Sequence, residues 1–264
     1  MTVEKTPVQF NQQMVALTTI VRKEIKRFTR IWVQTLLPPV ITMSLYFVIF
    51  GKLIGDRIGT MDGIAYMQFV VPGLIMMAVL THSYSNVSSS FFSAKFQRSI
   101  EEILVSPTPN VIILLGYCAG GMARGLCVGV LVTLLALFFT DIHVHNWWVT
   151  ISVVIMTSLF FALAGFINAI YANNFDDISI VPTFVLTPLT YLGGVFYSVS
   201  LLPDFWRWVS QLNPILHMVG AFRYGMLGTS EGNIWLAFLG LFTATVILFF
   251  ISLHLLKHGK RLRA

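Results

Sequence analysis

The chain has 264 residues, 56% of them hydrophobic and only 11% charged, with a net charge of +6 at pH 7. That is too little polar surface to coat a soluble globule of this length, and long apolar runs separated by short polar breaks mark a membrane protein. The basic excess is spread over flanks and loops, which excludes a nucleic-acid-binding face, and Cys118 and Cys127 lie about 13 Å apart along one expected helix, beyond disulfide reach.

Residues 8–30 open the chain with Phe10, Met14, Leu17, Val21, Ile25 and Phe28 at steps of four and three, and with basic residues on the other face from Arg22 onward. This pattern fits a helix lying in the membrane interface, its apolar stripe in the acyl boundary and its cations among lipid headgroups. A plain basic flank that fixes orientation is the other reading. No apolar core and cleavage site of a removed signal peptide precedes residue 30, so the first span reads as a retained anchor.

Six segments are long enough to cross a ~30 Å hydrocarbon core: 31–53, 66–92, 111–139, 148–171, 178–199 and 234–256. Pro72, Pro182, Pro188 and scattered hydroxyls interrupt the second and fifth. The expected fold is all-α, a single polytopic transmembrane domain over 1–264. With six spans, twelve Lys and Arg fall on the side of the two termini and four on the other, which places both termini in the cytoplasm.

Between the second and third spans, residues 94–106 combine helix formers with a stop at Pro107 and Pro109. A short cytoplasmic helix here is either a docking knob for a soluble partner or a solvated linker. The third span carries Gly121, Gly125 and Gly129 at steps of four and a second pair, Gly116 and Gly120, so another helix can approach closely. Arg124 stands amid these glycines. A charge at that depth pairs with another helix, lines a path, or snorkels to the interface; Asp176 and Asp177 are candidate partners. His82, between Thr81 and Ser83 in the second span, reads as a hydrogen-bonding group towards a neighbouring helix.

Asp141, His143 and His145 cluster in the next external loop but fall short of a four-ligand zinc site, so a solvated loop is the simpler reading and no metal is expected. Residues 203–226 hold two segments too short to span and too aromatic for a free loop. Pro203 and Pro214 suit first helical turns, Asn213 suits a cap, and Arg223 follows in the second segment. They read as two half-helices dipping into the outer leaflet, with Trp206, Trp208 and Tyr224 at headgroup level.

Taken together, the chain resembles the permeases of type-2 ATP-binding-cassette exporters, in particular the small bacterial inner-membrane permeases of the nodulation-exporter kind. Four stretches carry the resemblance: the basic helix before the first span; Phe-Gln-Arg-Ser-Ile-Glu-Glu-Ile-Leu-Val-Ser-Pro from Phe96; the run from Phe175 to Ser198; and Leu-Asn-Pro-Ile with Phe-Arg-Tyr-Gly near 212–225. The resemblance implies a homodimer of six-helix subunits in the bacterial inner membrane, each bound to a separate ATPase subunit that holds the ATP and magnesium. This chain itself carries no cofactor and no P-loop. It implies further that 94–106 is the coupling helix, with Lys95, Arg98, Glu101, Glu102 and Leu104 at the ATPase contact. The second and fifth spans would line the path, where His82, Arg124, Phe184, Tyr191 and Phe196 are the candidate path or pairing residues, and 203–226 would form an external re-entrant hairpin.

Two rival classes remain. A secondary carrier or channel would need no ATPase, but the two halves show no inverted repeat, and no acid lies deep within an expected span for proton coupling. A polytopic membrane enzyme would need a cluster of ionisable groups at one depth, and the spans lack one apart from Arg124 and the histidines.

Overall fold

The computed structural model describes residues 10–229 and 232–258. The start of the expected interfacial helix at 8–9, and the basic residues Lys5, Lys260, Arg261 and Arg263, lie outside the described residues. Among the described residues the regular structure is helical apart from one two-stranded antiparallel hairpin, Thr60–Met61 with Ile64–Ala65, in the loop after the first span.

Helix α1 (Phe10–Arg30) is followed by α2 (Trp32–Ile58). Pro38 and Pro39 lack the N–H groups that Gln34 and Thr35 would otherwise receive, and the helix breaks there, into Trp32–Thr35 and a run from Leu37 that includes wider π-type turns at Phe47–Ile54. Helix α3 (Tyr66–Phe96) has 31 residues, about 46 Å at 1.5 Å per residue, and is buried over most of its length. A short α4 (Ser99–Val105) leads to α5 (Asn110–Ala136) and α6 (Trp147–Tyr171). Helix α7 covers residues 175–191 as Phe175–Val181, a π-type turn Pro182–Leu186 and Thr187–Tyr191. Two short helices follow, α8 (Asp204–Gln211) and α9 (Pro214–Leu227), before α10 (Ile234–His258).

Among the described residues five helices, 32–58, 66–96, 110–136, 147–171 and 234–258, are long and apolar enough to cross a membrane. The expected fifth span differs: 178–199 is helical only to Tyr191, and the chain then turns through Gly193 and Gly194, the latter at φ +66. Pro182 and Pro188 are the physical reason for the irregular winding. Each removes a backbone donor within one short run, and the Ile178 carbonyl that Pro182 leaves open accepts from the Asn168 side-chain amide instead, at 3.2 Å.

The core is α3, enclosed by α5, α6 and α9. Glycine makes this possible, because a Cβ at Gly121, Gly125 or Gly129 would collide with Val87, Ser83 or Val79 of α3, and one at Gly165 with the Tyr84 backbone. Gly116 and Gly120 serve a second face of α5 and admit Ile20 and Glu24 of α1. The glycine stripe expected to receive one helix therefore receives two. Around the outside, α10 leaves Trp235, Leu236, Leu239, Phe242 and Phe250 exposed, a surface that only hydrocarbon or another protein satisfies.

Candidate functional site

Polar groups in this apolar bundle gather in three places: a stripe on α3, the end of the bundle that carries α1 and α4, and the opposite end beside α8 and α9. From Phe69 to Ser93 the positions of α3 left partly exposed are Met77, Thr81, Ser85, Ser89 and Ser93, at steps of four, with His82 alongside. Four-residue steps trace one ridge of a helix. Thus the most enclosed helix of the molecule keeps one hydroxylated ridge open. The Ser85 hydroxyl donates to the Thr81 carbonyl at 2.8 Å and that of Ser89 to the Asn86 carbonyl at 3.2 Å, so these two hydroxyls are satisfied within the helix.

Of the aromatic residues expected beside that path, Tyr191 and Phe196 come together and Phe184 does not. Tyr191 stacks on Phe196 with ring centroids 5.8 Å apart, and Phe50 and Tyr46 of α2 complete the group at 4.8 and 6.0 Å from Phe196. Phe184 points outward and is 73% exposed.

Arg124 is not partnered by Asp176 or Asp177. Its guanidinium donates to the Thr35 carbonyl at 3.2 Å, the acceptor left empty by Pro39, and stands 3.5 Å from His82 Nδ1. The Thr35 hydroxyl in turn donates to the Phe28 carbonyl at 2.8 Å. Arg124 thereby ties α5 to the corner between α1 and α2 and to the α3 ridge. Asp177 has a local duty. The Asp177 N–H donates to the Asn174 side chain at 2.8 Å and the Asn174 N–H to the Asp177 carboxylate at 3.4 Å, a capping box at the start of α7, and the Asn173 N–H adds a further bond to that carboxylate at 2.8 Å. The Asn173 N–H holds the Asp177 carboxyl below the usual carboxylate range.

At the same end, the segment expected as one helix over 94–106 divides at Gln97 and Arg98. Lys95 belongs to α3, and its ammonium donates to the Ile170 and Ala172 carbonyls at 2.7 and 2.8 Å, satisfying acceptors left open at the C-terminus of α6. Arg98 turns the chain with φ 58. Ile100 is buried and anchors α4, whereas Arg98, Glu101 and Glu102 are exposed, Leu104 is half-buried and Val105 is 85% exposed.

At the opposite end Pro203 stands just before α8 rather than in its first turn, Pro214 begins α9, and the Asn213 side chain accepts from the Ile215 N–H at 2.9 Å while donating to the Leu189 carbonyl at 2.6 Å. Arg223 is 3% exposed, lies 3.7 Å over the Phe69 ring, and donates to the Phe69 and Gly194 carbonyls at 3.3 and 2.7 Å. It clamps the turn after α7 against the start of α3. Gly73 admits the Val195 backbone at the same junction. Trp206 and Trp208 are exposed, and Tyr224 packs edge-on against His145.

One charged residue escaped the sequence reading. Glu24 of α1 is fully buried against Gly120, its carboxylate 3.5 Å from Arg27 Nε. Two signals pointed to it: it is the lone acid of α1, and it lies one turn beyond Ile20, in register with Gly116 and Gly120.

Residues 15–227 match the family of ABC-2 type transporters. The chain belongs to that family. It is 57% identical over 250 residues to the inner membrane transport permease YadH of Escherichia coli strain K12, covering 95% of this chain and 98% of the relative. It is 27% identical over 215 residues to nodulation protein J of Sinorhizobium fredii and 26% over 220 residues to that of Rhizobium meliloti, with 81% of this chain covered in each case. The membership makes this a multi-pass transport protein of the ABC-2 class, and the all-α bundle with its lipid-compatible surface agrees with it.

Proposed function

We propose that this ABC-2 chain is the permease subunit of an ATP-driven exporter, working as a homodimer in a bacterial inner membrane; the name of the YadH relative, an inner membrane transport permease, supports the location and the permease role. The observation that carries this reading is the hydroxylated ridge of α3, Met77 to Ser93, open on a helix otherwise sealed by α5, α6 and α9. A ridge of Thr and Ser on a central helix has a physical use if a second copy faces it and the two enclose a polar path. Tyr191 and Phe196 add aromatic surface near the outer end, which suits an amphipathic cargo such as a drug, lipid or glycan.

Residues 178–191, the apolar part of α7, are counted as a sixth, short crossing, which puts both termini in the cytoplasm and leaves α8 and α9 as an external re-entrant hairpin. In that orientation α4 projects into the cytoplasm with Arg98, Glu101, Glu102 and Leu104 available to an ATPase subunit, to which ATP and magnesium belong. Lys95 drops out of this contact set, because the α6 carbonyls occupy it. Single cysteines at Thr81, Ser85 and Ser89 should crosslink between copies in native membranes, whereas one at Ser90, buried at 4%, should not. Uniform failure along the ridge in folded protein would refute the dimer path.

A further inference from the structure

Helix α1 presents three faces. Phe10, Met14 and Ile25 are exposed apolar positions, Arg22, Lys23, Lys26 and Arg30 form the basic side, and Ile20, Glu24 and Phe28 are buried against the bundle. A charged residue on the buried face is anomalous, since taking a carboxylate out of water is costly unless it is paired. Among the described residues neither Glu24 oxygen accepts a hydrogen bond, and the nearest cation is Arg27 at 3.5 Å on the next turn.

Arg27 is the informative partner. Its side chain is 29% exposed, and one terminal nitrogen donates to both the carbonyl and the side-chain oxygen of Asn86 on α3, at 2.9 and 2.8 Å. Asn86 is fully buried and lies between Ser85 and Ser89 of the open ridge. A free Arg27 on an interfacial helix would extend its head to headgroups and water, as long basic side chains do. A fixed carboxylate on the guanidinium's Nε edge opposes that and holds the fork turned inward. Gly120 gives Glu24 its place, because a Cβ there would lie 2.9 Å from Glu24 Cγ.

We propose that Glu24 is a positioning residue: it aims Arg27 at Asn86 and thereby clamps the interfacial helix to α3 beside the polar ridge. The clamp makes α1 and α3 one mechanical unit, so that displacement of α1 at the membrane surface moves the ridge. Only this last consequence rests on the proposed path.

The test uses full-length protein in native membranes, with Cys118→Ala and Cys127→Ser and a single reporter, Ile20→Cys, which lies 9% exposed one turn before Glu24 on the same buried face. Its rate of alkylation by N-ethylmaleimide reads release of α1. The isosteric Glu24→Gln should raise that rate about tenfold or more, while Glu24→Asp should stay near the parent. Parent-like alkylation in Glu24→Gln would mean that the side chain only fills space, and would overturn the proposal. Should Glu24→Gln fail to accumulate, Arg27→Lys carries the test, since an ammonium keeps the charge but loses the fork; it should release the reporter, and a parent-like rate would again overturn the clamp. A second reporter, Ser89→Cys, separates the consequence. Release at Ile20 with unchanged copy-to-copy crosslinking at Ser89 would refute the link to the ridge, whereas crosslinking absent even in the parent would refute only the dimer path.

Discussion

Gly125 and Gly240 should respond in opposite directions to the same substitution, although both are glycines within long apolar helices. A Cβ at Gly125 would overlap the Ser83 hydroxyl and lie 2.9 Å from the Val79 carbonyl of α3, whereas one at Gly240 of α10 meets nothing within 4 Å. Overpacking of a tight contact costs roughly 1–3 kcal/mol. Displacing Ser83 also breaks its 2.8 Å hydrogen bond to Ser158, a further loss of about 0.5–1.5 kcal/mol. Against these stands a helix-propensity gain of about 1 kcal/mol for alanine over glycine. Gly125→Ala should therefore destabilise by about 0.5–3.5 kcal/mol, and Gly240→Ala, with only the gain, should be neutral or stabilising by up to about 1 kcal/mol. Unfolding of the purified protein by SDS in mixed micelles, followed by tryptophan fluorescence, measures both. A Gly125→Ala protein as stable as Gly240→Ala would refute the close α3–α5 approach.

Lys95→Met should cost about 1–3 kcal/mol in the same assay, because it leaves the Ile170 and Ala172 carbonyls without their charged donor; stability equal to the parent would remove Lys95 from its capping role. Asp177 has its folded pKa lowered by the Asn173 N–H, so its contribution is complete above the ordinary aspartate range and fades as pH falls through the lowered value. Acid titration of stability should accordingly show a shallower decline in Asp177→Asn than in the parent, and identical slopes would count against the capping box. Reversal of Glu101 and Glu102 to Lys should abolish co-purification of an ATPase subunit while membrane insertion stays normal, a cost of roughly 2–5 kcal/mol for carboxylates buried and paired at such a contact; retained co-purification would refute α4 as the docking element.

Helices were legible where one signal dominated. The apolar runs at 66–92, 111–139, 148–171 and 234–256 all appear as long helices, shifted by a few residues at their ends, because hydrocarbon-length apolarity admits few other structures. Asn213 and Pro214 marked the start of α9 for local reasons, a side-chain acceptor and a preset φ, which do not depend on the rest of the fold. The run 178–199 was harder. Its apolarity speaks for a span and its prolines for a break, and the balance is decided by Gly73 and Arg223, which hold the Gly194–Val195 turn from other helices. Glu24 was missed for a similar reason, although it is the lone acid of α1. In its own helix it looks like one more charge on an interfacial surface, and only the register of Gly116 and Gly120 on a distant segment turns it inward.

The polar residues sort by what backbone geometry leaves unfilled. Pro39 empties the Thr35 carbonyl and Arg124 fills it; the end of α6 exposes Ile170 and Ala172 and Lys95 fills them; the end of α7 frees Leu189 and Asn213 fills it. Each is a conspicuous polar residue in an apolar chain, and each already serves a neighbouring helix break, since an unfilled carbonyl in hydrocarbon costs more than a side chain held to meet it. This shifts the search for chemistry with outside molecules onto groups that meet no such internal demand. Arg98 stands exposed in the turn before α4 and Glu101 and Glu102 on α4 itself, and the Thr81, Ser85 and Ser89 hydroxyls line the one ridge of α3 that its neighbours leave open. On the proposed reading, an exporter subunit needs one surface for its moving partner and one for its cargo; these two candidates lie on a single stretch of chain, with α3 running directly into α4.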